Sequence, residues 1–255
     1  MPVPWILRWS PSVGSTNDLA LQAARRGEPA WTAWLADHQT QGRGRQVGAQ
    51  RRAWTEAPSS SILMSVLLRP ALRPEQAAAL PLAVAVGCAE SLREGTGLPV
   101  GLKWPNDLWL GGRKLGGILT EATFDQGSFV VVVGVGINVN LDLSALPAHL
   151  QGTATSLQAE AGRAFDRLSL VTALLERMEE VIAIYEEHAG LGPLAARWRV
   201  LSATHGRRVR LVGGGEGGEG EEGVALDIED DGALCVELAD GARRVVRAGE
   251  VEFIP

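Results

Sequence analysis

Four short stretches carry side chains able to do chemistry. Gln39-Thr40-Gln41-Gly42-Arg43-Gly44-Arg45 joins glycines, which let backbone bend closely around a ligand, to guanidinium groups, which present planar forks to phosphate or carboxylate. Taken alone, such a stretch fits an RNA-binding or merely solvated loop as well. It is not the phosphate loop of nucleotide hydrolases, because Gly-x-x-x-x-Gly-Lys-Ser/Thr is absent. Lys103-Trp104-Pro105-Asn106-Asp107 ends a strand with an amide and a carboxylate at a corner that proline stops from pairing further. Arg113-Lys114-Leu115-Gly116-Gly117-Ile118-Leu119 follows, with a lysine opening the return strand and glycines that allow close ligand approach. A well-made hairpin with polar turn formers is the alternative. Gly134-Val135-Gly136-Ile137-Asn138-Val139-Asn140 leaves an apolar run with glycines at spacing two. No third glycine and no helix follow, so a dinucleotide-binding turn is excluded, and Asn138 is expected to turn its amide into a pocket.

The elements that must position these residues are partly legible. Ser15-Thr16-Asn17-Asp18 reads as the cap of a helix ending near Gly27. Strands are predicted at 31–36, 61–68, 100–104, 108–110, 114–122 and 129–135, with Gly111-Gly112 as a hairpin turn. Residues 40–50 lack apolar periodicity and read as a loop, and 74–93 as one helix. Leu168, Val171, Leu174, Leu175, Met178, Val181 and Ile182 mark a long amphipathic helix over 168–187. After about residue 205, short strand-like runs separated by Asp231-Gly232 and Asp240-Gly241 predict a small all-β barrel. Gly213 to Gly223, made only of Gly and Glu, would be a long mobile hairpin loop inside it.

Composition narrows the function classes. The 255 residues are 45% hydrophobic with a net charge of −6, an ordinary globular balance that gives no support to a general nucleic-acid binder. Cys88 and Cys235 lie far apart among apolar neighbours and read as two buried thiols, and no Cys/His set has zinc spacing. The run 77–89 is shorter than the about 20 residues a membrane helix needs, and the N-terminus carries no export signal. A cytoplasmic location is expected, with no membrane partner.

In this order, Ser15-Thr16-Asn17, Gly42-Arg43-Gly44-Arg45, Lys103-Trp104-Pro105-Asn106-Asp107, Lys114-Leu115-Gly116-Gly117-Ile118-Leu119 and Gly136-Ile137-Asn138-Val139-Asn140 resemble the motifs of biotin–protein ligases. The resemblance spans nearly the whole chain. It departs after Arg45, where Gln46 to Arg52 lengthen the loop, which leaves the match of Gly48 and Trp54 open. The short stretch before Ser15 resembles the ligase-only type without an N-terminal DNA-binding domain. The fold implied is α/β (α+β): a catalytic domain with a mixed sheet, related to class II aminoacyl-tRNA synthetases, over residues 1–204, and an SH3-like β-barrel over 205–255.

The resemblance also implies two steps. Biotin's carboxylate attacks the α-phosphorus of ATP to give biotinyl-AMP, and a lysine of a biotin carboxyl carrier protein or domain then takes the biotinyl group. ATP with Mg and biotin are substrates, and no tightly bound metal is expected. Arg43, Arg45, Lys114 and Asp107 are the implied catalytic groups. Ser15, Thr16, Asn17, Gln39, Gly42, Arg43, Gly44, Arg45, Lys114 and Gly117 surround biotin. Arg43, Arg45, Trp54, Lys103, Asn106, Asp107 and Asn138 take ATP, with Trp54 as an adenine-stacking residue. Asp107 either accepts the proton of the incoming amine or organises Mg. The acceptor would be acetyl-CoA carboxylase or a related carboxylase; a homodimer is left open. The rivals are a lipoate–protein ligase, a biotin-sensing repressor or nucleic-acid binder, and an inactive interaction protein.

Overall fold

The computed structural model describes residues 4–47, 50–54, 57–125, 127–213 and 220–255, without the side chains of 46, 47 and 50–52. The elements run β1 (Ile6–Ser10), α1 (Thr16–Ala24), β2 (Thr32–Ala36), β3 (Arg43–Val47), β4 (Gln50–Ala53), β5 (Ser61–Leu68), α2 (Leu80–Thr96), β6 (Gly101–Lys103), β7 (Asp107–Leu110), β8 (Arg113–Asp125) and β9 (Ser128–Asn138). Then follow α3 (Ala148–Gln151), α4 (Leu157–Ala161), α5 (Arg167–His188), α6 (Leu194–Leu201), β10 (Arg208–Val212), β11 (Glu222–Ile228), β12 (Leu234–Leu238), β13 (Arg243–Val246) and β14 (Glu250–Phe253).

A seven-stranded sheet of order β1-β2-β5-β9-β8-β7-β6 organises the first two hundred residues. Only β1 and β2 pair in parallel, so the sheet is mixed. Its central strands are covered on both faces, which is why β5 is buried at every position. Alternation then decides what each face receives. Met64, Val66 and Leu68 of β5, with Val131, Val133 and Val135 of β9, meet α2 and α5 in the main core. Leu67, Val130 and Val132 point the other way, against Ala20, Ala23 and Ala24 of α1. By the same alternation Ser65, Gly134, Gly136 and Asn138 lie on the α1 face, as do Gly117, Leu119 and Glu121 of β8. That face is the floor on which a site can be built.

Two crossings need glycine. In the β7–β8 turn Gly111 and Gly112 have φ of 57° and 77°, the left-handed backbone of the predicted two-residue hairpin. At the β8–β9 crossing, a Cβ on Gly116 would collide with the carbonyl oxygen of Gly136.

The last fifty residues form a five-stranded antiparallel sheet of order β13-β12-β11-β10-β14, the SH3-like barrel expected. It packs on the α2/α5 core rather than hanging free: Val209, Leu211, Ile228 and Val236 are continuous with it. Trp104 Nε1 donates to Gly232 O at 3.0 Å, and its backbone N–H to Thr204 Oγ1 at 2.9 Å. Asp230 accepts the Gly192 N–H at 2.6 Å.

Several expectations need correction. Residues 40–50 are not simply a loop, because 43–47 pair with 50–53 as an antiparallel ribbon. A two-stranded ribbon buries neither face fully, so no alternation announces it. The helix predicted over 74–93 is a 3-10 turn (Pro74–Ala77) followed by α2, with Pro81 in the first turn, where its missing N–H costs nothing. β1, α3, α4 and α6 were not anticipated. Cys88 is fully buried and its thiol is pushed up to about 12 by burial, but Cys235 is only half-buried, with Sγ 3.0 Å from Glu229 Oε1. It sits on an outward barrel position, where apolar neighbours in sequence are not neighbours in space. Of the Gly/Glu stretch, residues 214–219 lie outside the described residues; β10 and β11 on either side do pair as a hairpin.

Gly116→Ala is expected to destabilise the fold by about 1–3 kcal/mol, because the added methyl meets backbone that cannot rotate away. Urea unfolding measures this, and an unchanged midpoint would mean that β8 and β9 slide apart freely.

Candidate functional site

A cleft of about 480 Å³ opens on the α1 face of the sheet, between α1, the β3–β4 ribbon, the β6–β7 corner and β14 of the barrel. One end is polar and uncharged. α1 begins after Ser15, whose side chain makes no capping bond, and Ser15, Thr16 and Asn17 line the cleft. Gln39 Oε1 accepts the Thr16 N–H at 2.7 Å and lies 3.0 Å from Thr16 Oγ1. Ser65 Oγ lies 2.7 Å from Thr16 Oγ1 and 2.5 Å from Asn17 Oδ1. Hydroxyl and amide groups so arranged can offer donors and acceptors to a small heterocycle.

The other end is cationic. Arg43 Nη2 donates to Asp18 Oδ1 at 2.6 Å and to Glu121 Oε2 at 2.7 Å, while its buried Nε has no hydrogen-bond partner among the described residues. Its guanidinium is held above the usual arginine range, first by the Asp18 hydrogen bond and then, against the cost of burial, by Glu121. Arg45 donates to Asn106 Oδ1 at 3.3 Å and to Gly249 O, a barrel carbonyl, at 2.9 Å. Lys114 Nζ meets Asp107 Oδ1 at 2.5 Å. Asn106 is itself fixed by donating to Ile118 O at 2.6 Å. Lys103 lies over the rings of Trp109 and Phe253, at 4.8 and 5.0 Å from their centroids.

The cleft gathers the residues that the sequence singled out from six separate segments. Ser15, Thr16, Asn17, Gln39, Arg43, Gly44 and Arg45 line it, and so do Trp54, Lys103, Asn106, Asp107, Lys114, Gly117 and Asn138. Gly42 does not. It stands behind the ribbon, where a Cβ would come within 3.2 Å of Trp54 Cβ and 3.3 Å of Gln39 Nε2. Trp54 lies flat on β9, its ring 3.0 Å from where a Cβ of Gly136 would be. Asn138 Nδ2 donates to Thr155 O at 2.9 Å, leaving its buried Oδ1 without a partner among the described residues. Gly48 lies outside the described residues.

Sequence reasoning missed Glu121, Leu146, Leu150 and Glu250. Glu121 had a signal: it continues the period-two face of Gly117 and Leu119. Leu146, in extended backbone before α3, and Leu150 on α3 make an apolar wall, and Glu250 reaches the rim from the barrel. Among the described residues no three His, Cys, Asp or Glu side chains gather to hold a metal ion. No helix among them is long and apolar enough to cross a membrane.

Lys103 makes the site's electrostatic cost measurable. Its ammonium is held below the ordinary lysine range, first by burial, with Lys114 adding to the effect and Asp107 and Glu250 opposing it. A lysine whose pKa falls on folding costs stability while it is charged. That cost fades as pH rises through the folded pKa toward the unfolded value of about 10.4. Lys103→Met, which keeps the stem and a ring-compatible sulfur, is expected to raise the urea midpoint at pH 7, with the gain shrinking toward about pH 10. A gain that grew with pH would contradict the burial account.

Residues 9–138 match the biotin/lipoate A/B protein ligase family, and residues 204–254 match the biotin protein ligase C-terminal domain. The biotin–[acetyl-CoA-carboxylase] ligase of Mycobacterium tuberculosis is 37% identical over 243 residues, covering 93% of this chain and 85% of that one. The bifunctional ligase/repressor BirA of Bacillus subtilis is 32% identical over 239 residues, covering 92% and 70%. The biotin protein ligase of Aquifex aeolicus, solved in complex with biotin and ATP, superposes with a TM-score of 0.78 at 26% identity over 98% of both chains. With both of its domains matched and a relative this similar along nearly its whole length, the chain belongs to the biotin protein ligases of the biotin/lipoate A/B protein ligase family.

Proposed function

We propose that this protein adenylates biotin with ATP and transfers the biotinyl group to a lysine of a biotin carboxyl carrier domain, that of acetyl-CoA carboxylase or a related carboxylase, in the cytoplasm. The observation that carries this reading is a single cleft with two chemistries, an uncharged hydroxyl and amide pocket at one end and four cations at the other. Biotin fits it end to end. Its ureido ring takes the Ser15, Thr16 and Gln39 groups, and its carboxylate reaches the cations. Residues 1–204 carry the chemistry, and 205–255 close its nucleotide side through Gly249 and Glu250.

In the first step a carboxylate oxygen of biotin attacks the α-phosphorus and pyrophosphate leaves. Two anions must meet, and charge gathers on phosphorus, so positioning and cationic stabilisation dominate. Arg43 offers its guanidinium edge at Nη1, Arg45 its planar fork, and Lys114 moves from Asp107 to the reacting carboxylate. Mg enters on the phosphates as part of the substrate. The nucleotide lies along Trp54 and the Leu146–Leu150 wall, with Asn138 Oδ1 as the acceptor left for it. In the second step the lysine nitrogen of the carrier attacks the acyl carbon, AMP leaves, and the amine's proton goes to Asp107 or to solvent.

Biotin-dependent exchange of labelled pyrophosphate into ATP, run beside lipoate and octanoate, tests the reading. Exchange with biotin is expected, followed by labelling of one lysine of a carrier domain. Equal or better use of lipoate would sink the biotin assignment.

The ion pair of Lys114 with Asp107 separates the two half-reactions. Lys114→Ala is expected to cut exchange by about 10²-fold or more, because a charge aimed at the reacting carboxylate is lost. Asp107→Asn keeps the polar shape. If Asp107 receives the amine's proton, transfer from supplied biotinyl-AMP slows, and the deficit shrinks as pH rises toward the lysine pKa of about 10.4. A loss confined to adenylation would assign Asp107 to organising Mg instead.

A further inference from the structure

Among the described residues, Glu121 is a carboxylate that touches both halves of the cleft. It stands on the cleft face of β8, and its Oε2 accepts Asn17 Nδ2 at 2.7 Å and Arg43 Nη2 at 2.7 Å. Asn17 belongs to the ring end. Its Oδ1 is held by Ser65 at 2.5 Å, and a Cβ on Gly134 would overlap that oxygen, so strand, serine and amide fit without slack. Arg43 belongs to the phosphate end. Its second carboxylate partner, Asp18, has a side chain 44% exposed against 21% for Glu121. Water screens the more exposed pair more strongly.

We infer that Glu121 is a positioning residue for adenylation: it orients Arg43 and ties that arginine to the part of the cleft that recognises the ring. With Nη2 drawn onto Asp18 and Glu121 and Nε buried, the guanidinium plane is set and Nη1 is the edge turned to an incoming anion. A ligand that presses on Thr16 and Asn17 bears on Arg43 through the chain Asn17–Glu121–Arg43. Filling the ring end therefore stiffens the phosphate end before ATP arrives, and biotin and nucleotide bind with positive coupling. Neither Asn17 nor Glu121 need contact the reacting atoms. This inference rests on the ligase reading above and adds to it the residue that couples the two substrates.

Glu121→Gln keeps the shape and an oxygen for Asn17 Nδ2 while removing the charge that Arg43 leans on. Three readouts follow. The rate of biotin-dependent pyrophosphate exchange is expected to fall about tenfold or more, whereas transfer from supplied biotinyl-AMP stays within about twofold. Biotin affinity measured calorimetrically without nucleotide stays near wild type, but its enhancement by a non-hydrolysable ATP analogue disappears. In an Arg43→Ala background, Glu121→Gln adds no further loss, because a residue acting through Arg43 has nothing left to act on. An equal loss in both backgrounds, unchanged exchange, or retained substrate coupling would each overturn the inference. If Glu121→Gln does not fold, Glu121→Asp carries the same cycle: it keeps the charge but withdraws it from Arg43 by one methylene, and its exchange defect must likewise vanish in the Arg43→Ala background. A wild-type chain without biotin-dependent exchange would overturn the ligase reading and this inference together. Normal wild-type exchange with an additive cycle would overturn this inference alone.

Discussion

Four cationic side chains, Arg43, Arg45, Lys103 and Lys114, share one partly buried cleft, and their mutual repulsion is the constraint the rest of the structure answers. Each is met separately. Lys114 is paired with Asp107, Arg43 with Asp18 and Glu121, Arg45 with an amide and a carbonyl oxygen, and Lys103 with two ring faces. Close charges of one sign destabilise a compact state unless something of the opposite sign stands nearby. A phosphate arriving here replaces partners already in place rather than filling an empty field. That favours ligands able to take several donors at once.

The barrel is part of this answer. Gly249 O holds Arg45, and Phe253 covers Lys103 and stacks edge-on with Trp109 at 5.8 Å. Those contacts are dependable only because the barrel shares a core with the larger domain, and Trp104, buried at the junction, hydrogen-bonds to both Thr204 and Gly232. The motif that ends at Asp107 in the cleft thus carries, as its second residue, the tryptophan that anchors the barrel. Activity and domain docking run through the same five residues.

Much of this protein was readable from its residues alone. The cap at Ser15, the Gly111-Gly112 turn, the long helix over 167–188 and the buried run of β9 all rest on local rules of spacing and turn chemistry. Local rules suffice because those elements are decided by neighbours in sequence. The candidate site residues were legible for a related reason: arginines between glycines, and a lysine followed by paired glycines, are poor choices for a core and good ones for a ligand. All of them but Gly42 line the cleft.

What only the tertiary structure decided is pairing across distance. Nothing local tells that residues 43–47 find 50–53, that Ile6–Ser10 extends the sheet, or that Arg45 reaches a carbonyl of the barrel. Asp107 on Lys114 and Glu121 on both Asn17 and Arg43 are likewise settled by strand register, since a shift of one residue would turn Glu121 to the opposite face. The residue types announce that charge will be handled. Which charge answers which is fixed only when β8, α1 and the ribbon are packed together, because electrostatic partners are chosen by separation in space and by exclusion of water, neither of which is written along the chain.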